Sequence, residues 1–139
     1  MLTGGCLCGA TRYRVAAGPG WAGHCHCTMC RRSSGAPFVT WFTVPAAAVE
    51  WEGAPPTRHR SSKSAERGHC ATCGAQMFWQ GRDDPENLDL TAATLDDPSA
   101  VRPQMHIYWN DRMPGMEIAD GLPRHQGGRR SPIAKDKVR

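Results

Sequence analysis

Seven cysteines in three short clusters restrict the fold of this 139-residue chain more than any other feature of its sequence. The clusters are a C-x-C pair, a C-x-C-x-x-C triplet and a C-x-x-C pair. Their members are Cys6 and Cys8, then Cys25, Cys27 and Cys30, then Cys70 and Cys73. A closed structural zinc site has four protein ligands, whereas a catalytic zinc site has three and keeps one position open. The cysteine count therefore predicts two zinc ions with different roles.

Each cysteine pair is followed directly by glycine, as Cys8-Gly9 and Cys73-Gly74. Glycine supplies the backbone freedom of a tight turn in which backbone N–H groups point at sulfur. Two such turns predict a tetrahedral, structural site that ties the N-terminal region to the middle of the chain. Buried unliganded cysteines and disulfides are the alternatives, and the odd number of cysteines argues against disulfides.

The triplet lies between two histidines that could also bind the metal. The spacing from Cys25 to Cys27 suits an extended segment, and the spacing from Cys27 to Cys30 suits a turn that enters one helical turn, so three thiolates can converge on one ion. In an extended segment His24 and His26 point to the opposite face from the cysteines. We therefore predict a three-cysteine site with an open position. A site closed by either histidine, and an empty or redox-active thiol cluster, remain alternatives.

Three thiolates restrict the chemistry of such a centre. Their charge exceeds that of zinc, which makes the site a poor generator of hydroxide and a suitable holder of another soft, exchangeable ligand. Thiol or aldehyde chemistry therefore fits better than hydrolysis. A zinc deaminase would need an H-x-E motif before its cysteines, and the first acidic residue here is Glu50.

Composition indicates one globular domain, with 40% hydrophobic and 22% charged residues. No apolar run is long enough to span a membrane, so no membrane partner is expected. The N-terminus shows no basic segment followed by an apolar stretch, so we expect no signal peptide and a cytoplasmic location.

The formal net charge of +4 gives little support to nucleic-acid binding. Two zinc ions and seven thiolates would lower it to about +1. The distribution of charge is more informative, because residues 1–49 contain four arginines and no acidic residue. A pocket built from that part of the chain would face a positive surface and favour an anionic ligand.

Short β-branched and aromatic runs between Gly and Pro predict a mainly β fold. The candidate strands are Thr11–Val15, 38–44, 49–51, 58–63, 76–79, Asn87–Thr91 and 105–109, with one helical turn after Pro45. We predict a zinc-binding domain over residues 1–125. Residues 126–139 are polar, Gly-rich and basic, which predicts a disordered tail.

Five segments together resemble one known family. They are GCLCGATRY (residues 5–13), HCHCTMCRRSSG (24–35), RGHCATCG (67–74), HIY (106–108) and ADGLP (119–123). In these motifs the chain is similar to the glutathione-dependent formaldehyde-activating enzymes, a group that shares its domain with centromere protein V-like proteins.

The resemblance implies a β-tent-like fold of short antiparallel strands organised around a structural zinc. It assigns that zinc to Cys6, Cys8, Cys70 and Cys73, and a second, catalytic zinc to Cys25, Cys27 and Cys30. The implied reaction is that of a carbon–sulfur lyase, which combines formaldehyde with its co-substrate glutathione or cleaves the S-hydroxymethyl adduct.

Several further residues are candidates for the site. Arg31, Arg32 and Arg67 are cations that could clamp the carboxylates of glutathione. Trp41, Trp79 and Trp109 could flank a pocket, although tryptophan in a strand is more often a core residue. His106 is a candidate for proton transfer.

Two other functions remain open. A non-catalytic two-zinc binding module would use Arg31-Arg32 and the basic tail, and a redox sensor would use the thiols of the triplet.

Overall fold

The computed structural model describes residues 1–135. Within them the chain forms ten strands, one short α-helix and four single turns of 3-10 helix. The strands are Leu2–Gly5 (β1), Thr11–Val15 (β2), Ala22–Cys25 (β3), Val39–Pro45 (β4), Val49–Gly53 (β5), Thr57–Arg60 (β6), Ala65–His69 (β7), Gln76–Gly81 (β8), Asn87–Thr91 (β9) and His106–Ile107 (β10). The helix is Thr28–Ser34 (α1), and the 3-10 turns are Ala46–Ala48, Ala92–Thr94, Pro98–Ala100 and Trp109–Asp111.

The strands form two sheets. The smaller has the order β1-β2-β5, and the larger has the order β10-β3-β4-β9-β8-β7-β6. All pairs are antiparallel except β10 with β3. The fold is therefore mainly β, as the sequence predicts.

Alternation along the strands gives the larger sheet two different faces. On one face Phe42, Leu90 and Phe78 are cross-strand neighbours and are fully buried. Tyr13 and Trp51 of the smaller sheet complete this core; the Trp51 ring centroid lies 5.9 Å from that of Phe78. This face holds the sheets together through apolar burial.

The opposite face of the larger sheet is lined by different residues of the same strands. Trp41, Thr43, Asp89, Trp79 and Arg67 alternate with the core residues and follow one another across β4, β9, β8 and β7. A one-residue change of register would exchange the two faces, so the hydrophobic pattern of the strands also positions the second face.

Most of the strands predicted from the sequence are present, and the single turn after Pro45 is a 3-10 helix. The region 58–63 overlaps the edge strand β6. Strands β1, β3 and β7 were not predicted, because Gly, Cys and charged residues interrupt their apolar patterns. Helix α1 begins where the spacing of Cys27 and Cys30 indicated a helical turn, and it extends to Ser34. No helix formed by residues 1–135 is long and apolar enough to cross a membrane.

Residues 126–135, which belong to the predicted disordered tail, make backbone hydrogen bonds in the structure. The N–H of Tyr108 donates to the carbonyl of Gly127 over 2.8 Å, and Ala134 donates to Arg124 over 2.7 Å. His125 also forms a β-bridge with Ile133. The last part of the predicted tail, residues 136–139, lies outside the described residues, and the boundary at residue 125 stays a prediction.

Replacement of Gly68 by alanine should destabilise the domain by about 2–3 kcal/mol, because overpacking a core usually costs this much. A Cβ atom on Gly68 would lie 1.9 Å from Cε1 of Phe78, which packs over β7. Urea unfolding measures the effect. Gly18→Ala is the matched control, since its Cβ would meet nothing within 4 Å. Equal stability of the two variants would contradict the packing argument.

Candidate metal centres and the adjoining cavity

The four paired cysteines converge as the sequence predicts. The sulfurs of Cys6, Cys8, Cys70 and Cys73 all lie within 4.8 Å of one another. Cys8 Sγ lies 3.6 Å from Cys6 Sγ and 3.8 Å from Cys70 Sγ, too far for disulfides. In a tetrahedron with Zn–S bonds of about 2.3 Å the sulfurs are about 3.8 Å apart. The four sulfurs therefore fit a tetrahedral metal ion.

The two halves of this site have the same backbone turn. The N–H of Cys6 donates to the carbonyl of Thr11, and the N–H of Cys70 donates to that of Ala75, each over 2.9 Å. Gly9 and Gly74 follow the clusters with φ of 80° and 76°, a conformation that favours glycine. The turns thus explain why a glycine follows each pair.

Backbone donors near this site also favour the thiolate form. The N–H of Thr11 lies 3.3 Å from Cys6 Sγ. The backbone N–H of Cys73 lowers the pKa of the Cys70 thiol to about 5. Metals bind thiolates rather than thiols, so these donors prepare the sulfurs for a cation.

The other three cysteines form a second, more deeply buried group. Cys25 ends β3, Cys27 precedes α1 and Cys30 lies in its first turn, with exposures of 4%, 9% and 3%. Cys27 Sγ accepts the N–H of Cys30 over 3.3 Å and thereby caps the helix. Their sulfurs lie within 4.8 Å of one another, and no fourth Cys, His, Asp or Glu ligand among the described residues belongs to this group.

The three cysteines of this trio change one another's pKa values. Hydrogen bonds from Cys25 and Cys27 lower the pKa of Cys30, and the Arg67 guanidinium lowers it further against the effect of burial. Hydrogen bonds with Cys27 and Cys30 raise the pKa of Cys25, and burial raises it further. A cation that replaced the shared protons would convert all three groups to thiolates. The donor set therefore suits a soft divalent metal such as zinc.

The two neighbouring histidines point away from the trio, as expected from strand alternation. His24 Nδ1 bonds Thr40 Oγ1 over 2.8 Å, and His26 Nε2 bonds His106 Nδ1 over 2.8 Å. His106 Nε2 in turn bonds the Asp120 carboxylate over 2.8 Å. Because a carboxylate only accepts, His106 donates from Nε2, and the Nδ1 atom of a neutral His106 accepts from His26. These hydrogen bonds hold the buried ring of His26, and the backbone of His26 lies between Cys25 and Cys27.

A cavity of about 490 Å³ opens beside the trio, a size typical of small-molecule sites. One end is formed by Cys25, Cys27 and Cys30, and the sides by Trp21, Trp41 and Trp79. The second face of the larger sheet, with Thr43 and Asp89, forms a further part of the wall. The trio thus lies in a pocket that three tryptophans also line, rather than on the surface.

Charges of both signs line this cavity. Arg67 is 7% exposed, and its Nη2 lies 3.5 Å from Cys30 Sγ. Arg129 lies with its guanidinium carbon 5.6 Å from the Trp21 ring centroid. The acidic lining residues are Asp84, Asp89 and Asp111. The positive surface expected for a pocket built from residues 1–49 is therefore only part of this cavity, because later segments of the chain supply the three aspartates.

The structure separates the three candidate arginines. Arg67 lines the cavity and donates from Nη1 to Ser33 Oγ over 3.1 Å. Arg31 and Arg32 are not among the described residues that line it; Arg31 donates to the Asp111 carbonyl, and Arg32 is exposed. Arg67 is thus the candidate that lies beside the trio.

The aromatic residues divide in a similar way. Trp41 and Trp79 line the cavity, whereas the buried Trp109 packs against His26 and His106. The cavity is also lined by Trp21, Tyr108, Asp89 and Arg129, which the sequence did not indicate as lining residues. No local signal marks any of the four, and the pairing register of β4 with β9 is what brings Asp89 beside Thr43.

Tyr108 has an unusual backbone and a polar group in the cavity. Its φ of 53° is the only positive value of a non-glycine residue among the described residues, and such conformations are uncommon. Burial and then the charges of the three cysteines raise the pKa of its hydroxyl, which stays protonated at neutral pH. Tyr108 therefore offers a neutral donor near the trio.

Comparisons with known proteins agree with the motifs. A family model described as glutathione-dependent formaldehyde-activating enzyme matches residues 1–111. The fold is similar to the crystal structure of a Rhodobacter sphaeroides protein from a structural genomics programme, with 29% sequence identity and a TM-score of 0.56. That similarity covers 73% of this chain and 91% of the other. Since the family model matches well over half of the chain, this protein belongs to the glutathione-dependent formaldehyde-activating enzyme family.

Proposed function

We propose that the protein is a zinc-dependent carbon–sulfur lyase that combines formaldehyde with glutathione, or cleaves the S-hydroxymethyl adduct. The observation that carries this proposal is the group of three cysteines, without a fourth ligand among the described residues, that lines a cavity with Trp21, Trp41 and Trp79. The family match supports the pair of substrates.

The reaction needs few participants. The thiol sulfur forms a bond to the aldehyde carbon, the carbonyl π electrons move to oxygen, and the thiol proton ends on that oxygen. The reverse reaction breaks the same C–S bond. No oxidant or reductant takes part, so a site needs to hold the sulfur, orient the aldehyde and move one proton.

In this proposal Cys25, Cys27 and Cys30 hold the catalytic zinc, and Cys6, Cys8, Cys70 and Cys73 hold the structural one. A zinc ion on the trio would supply a Lewis-acid centre with one position for an exchangeable ligand. Arg67 would balance the negative charge of the three thiolates, since its guanidinium already contacts Cys30. A reducing compartment such as the cytoplasm would keep the seven free thiols available for metal.

Tyr108 is assigned the proton-donating role. Its side chain lines the same cavity as the trio, and its neutral hydroxyl would donate to the oxygen on which negative charge develops. Trp41 and Trp79 would exclude water from the reacting atoms, which strengthens this hydrogen bond.

Two-dimensional NMR exchange spectroscopy tests the proposed function. With ¹³C-formaldehyde and glutathione, the protein should accelerate exchange between free and adducted formaldehyde above the spontaneous rate. Denatured protein and a mixture without glutathione are the controls. No acceleration by protein that holds about two zinc ions per chain would overturn the proposal and favour a non-catalytic binding module.

Replacement of Tyr108 by phenylalanine should lower the exchange rate constant by about ten- to hundredfold, because a donor to the developing oxyanion is lost. Affinity for glutathione and the midpoint of thermal unfolding should not change, since the ring and its packing remain. The same NMR experiment and calorimetric titration measure both. An unchanged rate constant would exclude the proposed role of the hydroxyl.

A further inference from the structure

The cavity continues well beyond the three cysteines. Cys25 pairs with Val39 at one end of β4, whereas Asp89 pairs with Thr43 four residues further along the same strand. At about 3.3 Å per residue this separation is about 13 Å. Trp41 lies between the two levels and forms part of the wall. The cavity therefore has a sulfur-rich end and a distant end.

The distant end contains one carboxylate with a free acceptor. Thr43 Oγ1 donates to Asp89 Oδ1 over 2.5 Å, and Oδ2 has no hydrogen-bond partner among the described residues. Asp84, by contrast, already accepts two hydrogen bonds from Asn87. Burial raises the pKa of Asp89, so a cationic ligand would offset the desolvation of its charge.

The guanidinium of Arg129 lies in the same cavity as the Asp89 carboxylate. Arg129 lines the same cavity, and its charge partly opposes the effect of burial on Asp89. The two groups do not form an ion pair within 4.0 Å, so each can still bind a ligand group. Arg129 stacks over Trp21, and the turn around it is held by the bond from Gly127 N–H to Ser131 Oγ. This turn lies beyond residues 1–111, to which the family model applies.

We infer that Asp89 and Arg129 form a recognition site for an amino-acid head group, with Asp89 binding its ammonium and Arg129 its carboxylate. The ligand class is a thiol that carries a zwitterionic head at the end opposite its sulfur. The assignment of the sulfur to the trio rests on the proposed function. Opposite charges on adjacent walls match a zwitterion, whereas an anion or a cation alone would leave one charge unpaired.

The γ-glutamyl head of glutathione has the right length for this site. Extended glutathione places its ammonium about 10 Å from its sulfur by standard bond lengths. A hydrogen bond of about 3 Å to Asp89 then spans the remaining distance to the carboxylate. Cysteinylglycine keeps the thiol but lacks this head, so it should bind only at the sulfur end.

Calorimetric titration of the zinc-loaded full chain tests the inference with four probes. They are glutathione, S-methylglutathione, N-acetylglutathione and glutathione amidated at the glutamyl α-carboxylate. Asp89→Asn should weaken binding of glutathione and S-methylglutathione by about ten- to hundredfold, a typical effect for a charge-assisted hydrogen bond. It should leave the weaker binding of N-acetylglutathione unchanged. Arg129→Gln should likewise weaken binding of glutathione and S-methylglutathione by about ten- to hundredfold. It should leave the weaker binding of the amidated glutathione unchanged.

Two control variants remove the same charges outside the cavity. Asp83→Asn and Arg130→Gln change exposed neighbours that are not among the described lining residues, and both should bind all probes like the unmodified protein. The inference would be overturned if Asp89→Asn and Arg129→Gln lowered the affinity for all four probes equally. It would also be overturned if neither variant lowered the affinity for glutathione, or if the unmodified protein did not bind glutathione. Accelerated exchange without head-group discrimination would leave the proposed function standing. Discrimination without accelerated exchange would contradict the proposed function and support the binding site.

Discussion

Replacement of Cys70 by serine is expected to unfold the domain. The sulfur of Cys70 is 1% exposed and joins the start of the chain to the end of β7 through the four-cysteine group. Structural zinc contributes apparent binding free energies of about 10–16 kcal/mol in small domains, and a typical domain is stable by only about 5–15 kcal/mol. Loss of one ligand should therefore cost at least about 5 kcal/mol. Circular dichroism and zinc analysis of the purified variant measure the result.

Cys8→Ser separates metal binding from packing. Cys8 is exposed, so its removal leaves no cavity in the core. If the four sulfurs hold a structural ion, Cys8→Ser should destabilise the domain nearly as much as Cys70→Ser. A strong chelator should unfold the unmodified protein in the same way. A stable, cooperatively folded Cys8→Ser variant would exclude a structural metal at this site.

Replacement of Cys27 by serine should give the opposite combination: a folded domain that has lost one zinc ion and its activity. Serine keeps the helix cap, because its hydroxyl can accept the N–H of Cys30 as the sulfur does. A metal ion held by the trio, however, would lose one of its three ligands. We expect the exchange rate constant to fall by at least about a thousandfold, which corresponds to about 4 kcal/mol of transition-state stabilisation.

The readouts are zinc content, thermal unfolding and formaldehyde exchange. The content should fall from about two ions per chain to about one, while the unfolding midpoint changes by only a few degrees. The comparison with Cys70→Ser is direct, since both variants exchange one buried sulfur for oxygen. Retained activity in a variant with one zinc would contradict a catalytic role for the trio. Unfolding of Cys27→Ser would contradict the division into structural and catalytic groups.

The two cysteine groups could be read from the sequence, because candidate metal sites depend on residue type and short spacing. Cys25, Cys27 and Cys30 lie within six residues, and glycine after each pair marks the turns that hold Cys8 and Cys73. Strand alternation was likewise sufficient to predict that His24 and His26 point away from the trio. The alternating strands also indicated a mainly β fold.

The elements missed were those whose order depends on partners distant in the chain. Strand β3 reads Ala-Gly-His-Cys and has little propensity of its own, yet it is held between β4 and β10. Strand β7 contains Glu66, Arg67 and Gly68, but pairing on both sides fixes it in the sheet. Tertiary context overrides local propensity at such positions.

From sequence alone, residue type and spacing were enough to define both cysteine groups, since the trio and each of the two cysteine pairs are short local segments. The composition of the cavity followed only from the assembled sheets. Trp41, Trp79 and Asp89 belong to separate strands, and the pairing register brings them to one face. Arg129 reaches the same cavity through a turn near the end of the described chain. The pairing register of the strands and the return of the chain near Arg129 both depend on contacts between residues distant in the sequence. No short segment therefore encodes them.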